Sequence, residues 1–208
     1  MAFIEPVTLI GRHARLEPLG PEHAEGLAAA VADGDLWKLW YTAVPRPEHV
    51  ADYIATALAM RANLGAMPFV IRDQRDDRIV GCTRYYNVEA AHRRVEIGYT
   101  WHAASVQRTG INTECKQMLL AHAFETLKCI AVEFRTSWMN HQSRTAIARL
   151  GAKQDGVLRN HQITAEGILR DTVVFSIIES EWPAVKRHLA FKLDRPGEPQ
   201  CSSIFSLP

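Results

Sequence analysis

The chain has 208 residues, 47% of them hydrophobic, and a formal net charge of +1, which suits one domain with one substantial core. A near-neutral balance gives no general pull toward nucleic acid or a membrane surface, so any binding has to be local. The four cysteines, Cys82, Cys115, Cys129 and Cys201, have no CxxC or finger-like spacing and read as reduced packing residues of a cytoplasmic protein, not as disulfides or zinc ligands.

In chain order, the opening residues show no basic segment followed by a long apolar block, and no later run reaches spanning length, so neither export nor membrane insertion is expected. Residues 7–19 read as a strand broken by a Gly11 turn, and Pro21 starts a short helix whose apolar face is Leu27, Ala30 and Val31. An aromatic segment with Trp37, Trp40 and Tyr41 follows, and then a helix over 48–63 stopped by Gly65. The period then changes to two: strands over 68–71 and 79–88 form a hairpin, and a third covers 94–101. A long helix over 113–128, a strand over 130–137 and a helix over 142–150 ending at Gly151 come next. Strands over 156–163 and 169–177 and a last helix over 179–193 close a domain spanning 8–193, with 194–208 expected to be a flexible tail. The pattern predicts an α/β (α+β) fold: a mixed, mostly antiparallel sheet flanked by helices.

Gln107-Arg108-Thr109-Gly110-Ile111-Asn112 is the most informative stretch, because it joins a strand to a helix. The first N–H groups of a helix lack internal partners and carry partial positive charge, so such a turn attracts phosphate. A GxxxxGK[ST] sequence is absent, and so is GxGxxG with an acidic residue one strand later. A P-loop hydrolase and a dinucleotide fold are therefore disfavoured.

Glu96 on the strand, this turn, Asn140 after the next strand and the segment from Asn140 to Leu150-Gly151-Ala152 occur in an order that resembles the GNAT superfamily of acyl-CoA-dependent N-acyltransferases. Its turn reads Gln/Arg-x-x-Gly-x-Gly/Ala. The opening Gly11-Arg12-His13-Ala14-Arg15-Leu16-Glu17-Pro18-Leu19 extends the resemblance, which covers roughly 8–190 and is closest to the branch of ribosomal-protein-alanine N-acetyltransferases. The resemblance implies a fold with splayed strands and a coenzyme A pyrophosphate cradled by Gln107, Arg108, Thr109, Gly110, Ile111, Asn112 and Thr113. It further implies that Asn140 bonds the pantetheine arm and that main chain near Trp101 and His102 stabilises the oxyanion. Two residues depart from the family pattern: Asn112 stands where Gly or Ala is usual, and Ile147 stands where many members have a tyrosine that protonates the departing thiolate.

An amine must be neutral to attack a thioester, so a base has to take its proton. Glu96 is the candidate, since a half-buried carboxylate beside the turn would have a raised pKa; the competing role is an ion pair with Arg94 or Arg84. Ser143 could return a proton to the coenzyme sulfur, or could simply lie in a helix turn capped by Asn140. Trp37, Tyr41 and Tyr85 are the expected acceptor contacts, although Tyr85 and Tyr86 must point to opposite faces of their strand.

The nine histidines show no HxH or HExxH, so no metal is expected. The arginines of the 72–94 region are interleaved with acids and read as a solvated hairpin. The expected activity is acetyl transfer from acetyl-CoA by direct attack of a primary amine: a small amine, an amino acid or a protein N-terminus. The other reading is a coenzyme A-binding sensor or partner-binding module without catalysis. Neither nucleic acid nor membrane is an expected partner, and assembly into a homodimer is left open.

Overall fold

A computed structural model describes residues 3–164 and 166–194. The expected tail therefore lies outside the described residues, apart from Asp194, which closes the last helix. Eight strands form one sheet: β1 Leu9–Ile10, β2 Ala14–Pro18, β3 Met67–Asp73, β4 Ile79–Glu89, β5 Arg94–His102, β6 Ala131–Ser137, β7 Lys153–Ile163 and β8 Leu169–Ile178. Their spatial order is β1-β2-β3-β4-β5-β6-β8-β7, and every neighbouring pair is antiparallel except β5 with β6. That one parallel pair needs a crossover, and helix α3, Gly110–Ala121, supplies it.

The remaining helices are α1 Ala24–Ala32, α2 Val50–Leu64, α4 His141–Ala148 and α5 Trp182–Asp194. Gly65 ends α2 in the left-handed region at φ 66°, which favours glycine. Consecutive residues of β4 assign the two faces of the sheet. Arg84 touches Met60 and Tyr53 of α2, whereas Tyr85 donates its hydroxyl to Leu119 O of α3. One apolar core runs through the whole molecule, from Leu16 and Phe69 to Phe134, Ile177 and Leu189.

Most element boundaries move by one to three residues from those read in the sequence, and both ends of α3 do so for a visible reason. Helix α3 begins at Gly110, three residues early, because Thr109 is its N-cap: the Thr109 hydroxyl accepts from Ile111 N at 3.3 Å. Its expected far end is a π-helical turn, His122–Thr126. Glu114, in the second turn of α3, accepts from the main-chain N–H groups of Arg12 (2.8 Å), His13 (2.6 Å) and Ala14 (2.8 Å). Three charge-assisted bonds on one buried carboxylate pin the β1–β2 turn against α3 and bring His13 beside Gly110.

Candidate active site

Strands β5 and β6 pair only over Arg94–Ala131, Val95–Val132 and Glu96–Glu133. From Ile97 onward the β6-facing edge of β5 has no strand partner among the described residues, so the two strands fork immediately after Glu96. On its other edge β5 carries a bulge: Trp101 pairs with Cys82 and Gly98 with Arg84, so Tyr99 and Thr100 together oppose Thr83. Tyr99 takes φ 50°, an unusual conformation for a bulky residue that the bulge requires. Trp101 and His102 lie just past this irregularity, on the open length of the strand.

Glu96 sits at the fork and is fully buried. Its carboxylate accepts from the Tyr86 hydroxyl and from Asn87 Nδ2 at 2.8 Å, and Arg135 Nε lies 3.4 Å away. Burial raises its pKa and is the largest influence; Tyr86, Asn87 and Arg135 all act in the opposite sense, and the net direction is upward. The ion pair weighed in the sequence is made by neither Arg94 nor Arg84. Arg94 pairs with Glu133, which also takes Arg135 at 3.0 Å, and Arg84 lies over aromatic rings. Gly98 makes room for Tyr86: a Cβ there would stand 2.5 Å from the Tyr86 ring.

Tyr85, expected to line an acceptor groove, faces away from Glu96. It is fully buried, its hydroxyl bonds Leu119 O, and its ring lies 5.9 Å from His122. The alternation of a strand allows only one of the two tyrosines on the Glu96 face, and the residue there is Tyr86. Trp37 packs partly against the core, and Tyr41 stands edge to face with exposed Trp40 at 5.7 Å. Both belong to the α1–α2 connection, whose start is tied to the β5–α3 connection by Ala104 N bonding Asp33 O at 2.9 Å.

Between β5 and α3 the chain makes a turn at 104–106, then Arg108 adopts φ 60° and Thr109 is extended. Gln107 Nε2 bonds His102 O at 3.2 Å, and Thr109 Oγ1 donates to Val106 O at 2.7 Å, so the turn is braced by its own side chains. Of the N–H groups of Gly110, Ile111 and Asn112, only that of Ile111 has a protein acceptor among the described residues. A Cβ on Gly110 would stand 3.1 Å from the His13 ring, so a side chain there would press on that ring. A depression of about 190 Å³ opens here, lined by His13, Asp73, Arg75, Thr109, Gly110 and Ile111. On the far side of the helix start, a small cleft between Asn112, Thr113, Ala146, Arg149 and Lys192 separates α3 from α4. Donors without acceptors, a close-approach glycine and flanking cations suit a diphosphate.

Asn140 caps α4 by accepting from Ser143 N at 2.9 Å, so the bland role weighed for this pair is present. Ser143 is half-buried in the first turn, and Ile147 is buried with no polar atom to offer. Cys82, Cys115 and Cys129 are free and buried. Burial pushes the thiols of Cys115 and Cys129 up to about 12 and about 11, which removes them as nucleophiles at neutral pH. Cys201 lies outside the described residues. No group of three or more metal-ligating side chains occurs among the described residues.

The model of the acetyltransferase (GNAT) domain matches residues 13–153, well over half of the chain. The chain belongs to the GNAT acetyltransferase family. Family membership makes it an acyltransferase. A crystal structure described as an acetyltransferase shares 30% identity, with 93% of this chain and 97% of that one covered and a TM-score of 0.82. A GCN5-related N-acetyltransferase from Brucella melitensis is 26% identical over 94% of this GNAT chain and 91% of its own, with a TM-score of 0.84. RimJ of Mycobacterium smegmatis, solved in complex with CoA-disulfide, shares the fold at 23% identity, 90% and 95% coverage and a TM-score of 0.75. No curated protein matches the chain. Among the described residues, the eight-stranded, mostly antiparallel sheet with five α-helices is the α/β fold expected from the sequence.

Sequence reasoning preferred Tyr85 to Tyr86 and missed Asn87 and Arg135 around Glu96, the Tyr99 bulge, and Glu114. Only Gly98, a glycine inside a strand, was a readable sign of close approach there. The rest depend on cross-strand neighbours that the linear pattern does not name.

Proposed function

We propose that this GNAT protein transfers the acetyl group of acetyl-CoA to a primary amine by direct attack, with Glu96 as the base. The position of Glu96 carries the reading: it is the last paired residue before the strands fork, fully buried, with a raised pKa. Because the carboxylate is sealed from solvent, the amine proton reaches it through the Tyr86 hydroxyl, which is half-buried and already bonded to Glu96. The amine nitrogen forms a bond to the carbonyl carbon, the carbon–sulfur bond breaks, the amine proton passes to Glu96, and the coenzyme leaves as thiolate or thiol.

Main-chain N–H groups on the open length of β5, near Trp101 and His102, hold the oxyanion. The N–H groups of Gly110 and Asn112, with Gln107, Arg108, Thr109, Ile111 and Thr113 shaping the turn, hold the diphosphate, and Asn140 meets the pantetheine arm. Ser143 donates a hydrogen bond or a proton to the departing sulfur, a light duty for so good a leaving group. Trp37, Tyr41 and, in place of Tyr85, Tyr86 border the acceptor. A ribosomal-protein-serine acetyltransferase of Vibrio cholerae and the microcin C7 self-immunity acetyltransferase MccE, in complex with acetyl-CoA and AMP, share this fold and illustrate how widely acceptors vary on one framework.

Free-thiol release and product mass, measured with acetyl-CoA and a panel of small amines, amino acids and peptides with free N-termini, test the proposal. Acetylated product at the amine supports it. The apolar Ile147 favours a second reading, a coenzyme A-binding module without turnover. Thermal stabilisation by acetyl-CoA with no thiol released from any member of the panel would establish that reading instead.

A further inference from the structure

We infer that Arg84 is the anchor for a carboxylate on the acceptor, so that the amine acetylated here belongs to an aminocarboxylate, a molecule whose carboxylate lies a few bonds from its nitrogen. The inference rests on the transfer reading above and names the substrate class for the same site.

Arg84 is 1% exposed and projects from β4 toward α2. A buried guanidinium is costly unless something compensates its charge, and the usual compensation is a carboxylate. Among the described residues no Asp or Glu lies within ion-pair distance of it, although the other arginines on the central strands, Arg72, Arg94 and Arg135, each hold one. Among the described residues its single hydrogen bond runs from Nη1 to the Met60 thioether at 3.2 Å, a weak acceptor, and its buried Nε has no hydrogen-bond partner. The guanidinium carbon lies 4.0 Å from the Tyr99 ring centroid and 5.2 Å from that of Tyr53, a cation–π clamp that fixes its plane without neutralising it. The adjacent titratable groups are no help: burial pushes both the Tyr53 phenol and the Cys82 thiol up, so both stay neutral at neutral pH.

The place of this unmatched cation is specific. Arg84 pairs with Gly98, and Tyr86 pairs with Glu96, on the same face of the β4–β5 ladder. The rings of Tyr86 and Tyr99 stand 5.0 Å apart between the guanidinium and the buried carboxylate, and Tyr99, 40% exposed, forms the outer wall. Residues two apart on a strand are separated by roughly 7 Å. That is the span of an amine and a carboxylate a few bonds apart with a hydrogen bond at each end, the amine toward Tyr86 and Glu96 and the carboxylate toward Arg84. The planar fork of arginine matches a carboxylate with two bonds, which a lysine does not. Free amino acids and peptides beginning with Asp or Glu both present this chemistry.

The test compares kcat/KM for amino acids against their carboxamides, and for peptides beginning with Asp or Glu against Asn or Gln, by thiol release from acetyl-CoA. The native protein is expected to favour one acidic series over its amide by on the order of 100-fold. Which series shows the preference separates the two sources. Arg84→Met is expected to erase that ratio, and Arg84→Lys to recover part of it. Equal rates for acid and amide in the native protein would overturn the assignment without touching the transfer reading, and that comparison needs no variant to fold. An equal loss against both members of a pair in Arg84→Met would overturn it too. Acetylation of no amine of any kind would instead sink the transfer reading, and the anchor with it.

Discussion

The two faces of the β4–β5 pair bury polar side chains to opposite effect. Toward α3, the Tyr85 hydroxyl is taken by Leu119 O, the Thr83 and Thr100 hydroxyls meet at 2.7 Å, and Lys116 Nζ donates to Thr100 at 2.6 Å. Burial and the nearby Lys116 push His102 down to about 3, so it stays neutral; burial brings Lys116 down to about 8. That face fills its bonds mostly from its own chain, and its cation, Lys116, donates to the Thr100 hydroxyl. Toward α2, a carboxylate and a guanidinium are both buried, the first held by donors and the second left without an anion. Closed polar networks serve folding, whereas a buried charge without its counterpart marks a place where the chain waits for something else.

The largest expected effect that would sharpen this contrast is on the α2 face. Glu96→Gln should lower kcat by about 10²- to 10⁴-fold, the range for a lost general base. Acetyl-CoA affinity should stay near the native value by calorimetry. A base works only when deprotonated, so native kcat should rise with pH through the elevated Glu96 pKa, and the variant should lose that rise. A variant with native turnover would remove Glu96 from the chemistry.

Next comes Lys116 on the closed face. The unfolded lysine holds its proton up to about 10.5 and the folded one only to about 8, so the unfolded chain binds more protons between those values. Stability should therefore rise with pH across that window, and the full penalty, about 3 kcal/mol, applies below it. Lys116→Met should stabilise the protein by about 1–3 kcal/mol at pH 7 and flatten the rise, read by urea unfolding at pH 7 and pH 10. Destabilisation at both values would show that the Thr100 bond outweighs the buried charge.

The smallest effects separate the two tyrosines. Tyr85→Phe should cost about 1 kcal/mol of stability through the lost bond to Leu119 O, which keeps the His122 N–H as a donor, and leave the pH–rate profile in place. Tyr86→Phe should do the reverse: kcat should fall by about 10-fold, since water has to replace the hydroxyl in the proton relay, and because the lost bond lowers the Glu96 pKa the acidic limb of the profile should move to higher pH. A profile shift in the first variant and not the second would exchange their roles.

Much of this was legible in advance. The helices and the hairpin strands follow hydrophobic period, and Gly65 and Gly151 stop their helices at positive φ, as a glycine after an apolar periodic run suggests. The turn from Gln107 to Asn112 sits at the start of α3 because strand, glycine and helix signals are all local. The true start at Gly110 was missed because Thr109 caps from one residue before it, and the capping role of a threonine is apparent only once the chain has turned. Tyr85 was preferred over Tyr86 because alternation says that the two diverge without saying which way.

By itself the sequence determined the order of elements, the family and the place where main-chain donors converge, since each depends on residues within a few positions of one another. Tertiary structure alone decided that Glu96 lies at the fork, that Tyr86 and Arg135 meet it, and that Arg84 is buried without a carboxylate. Those facts depend on which strand lies beside which and on the face set by strand register, and a register shift of one residue would reverse every one of them.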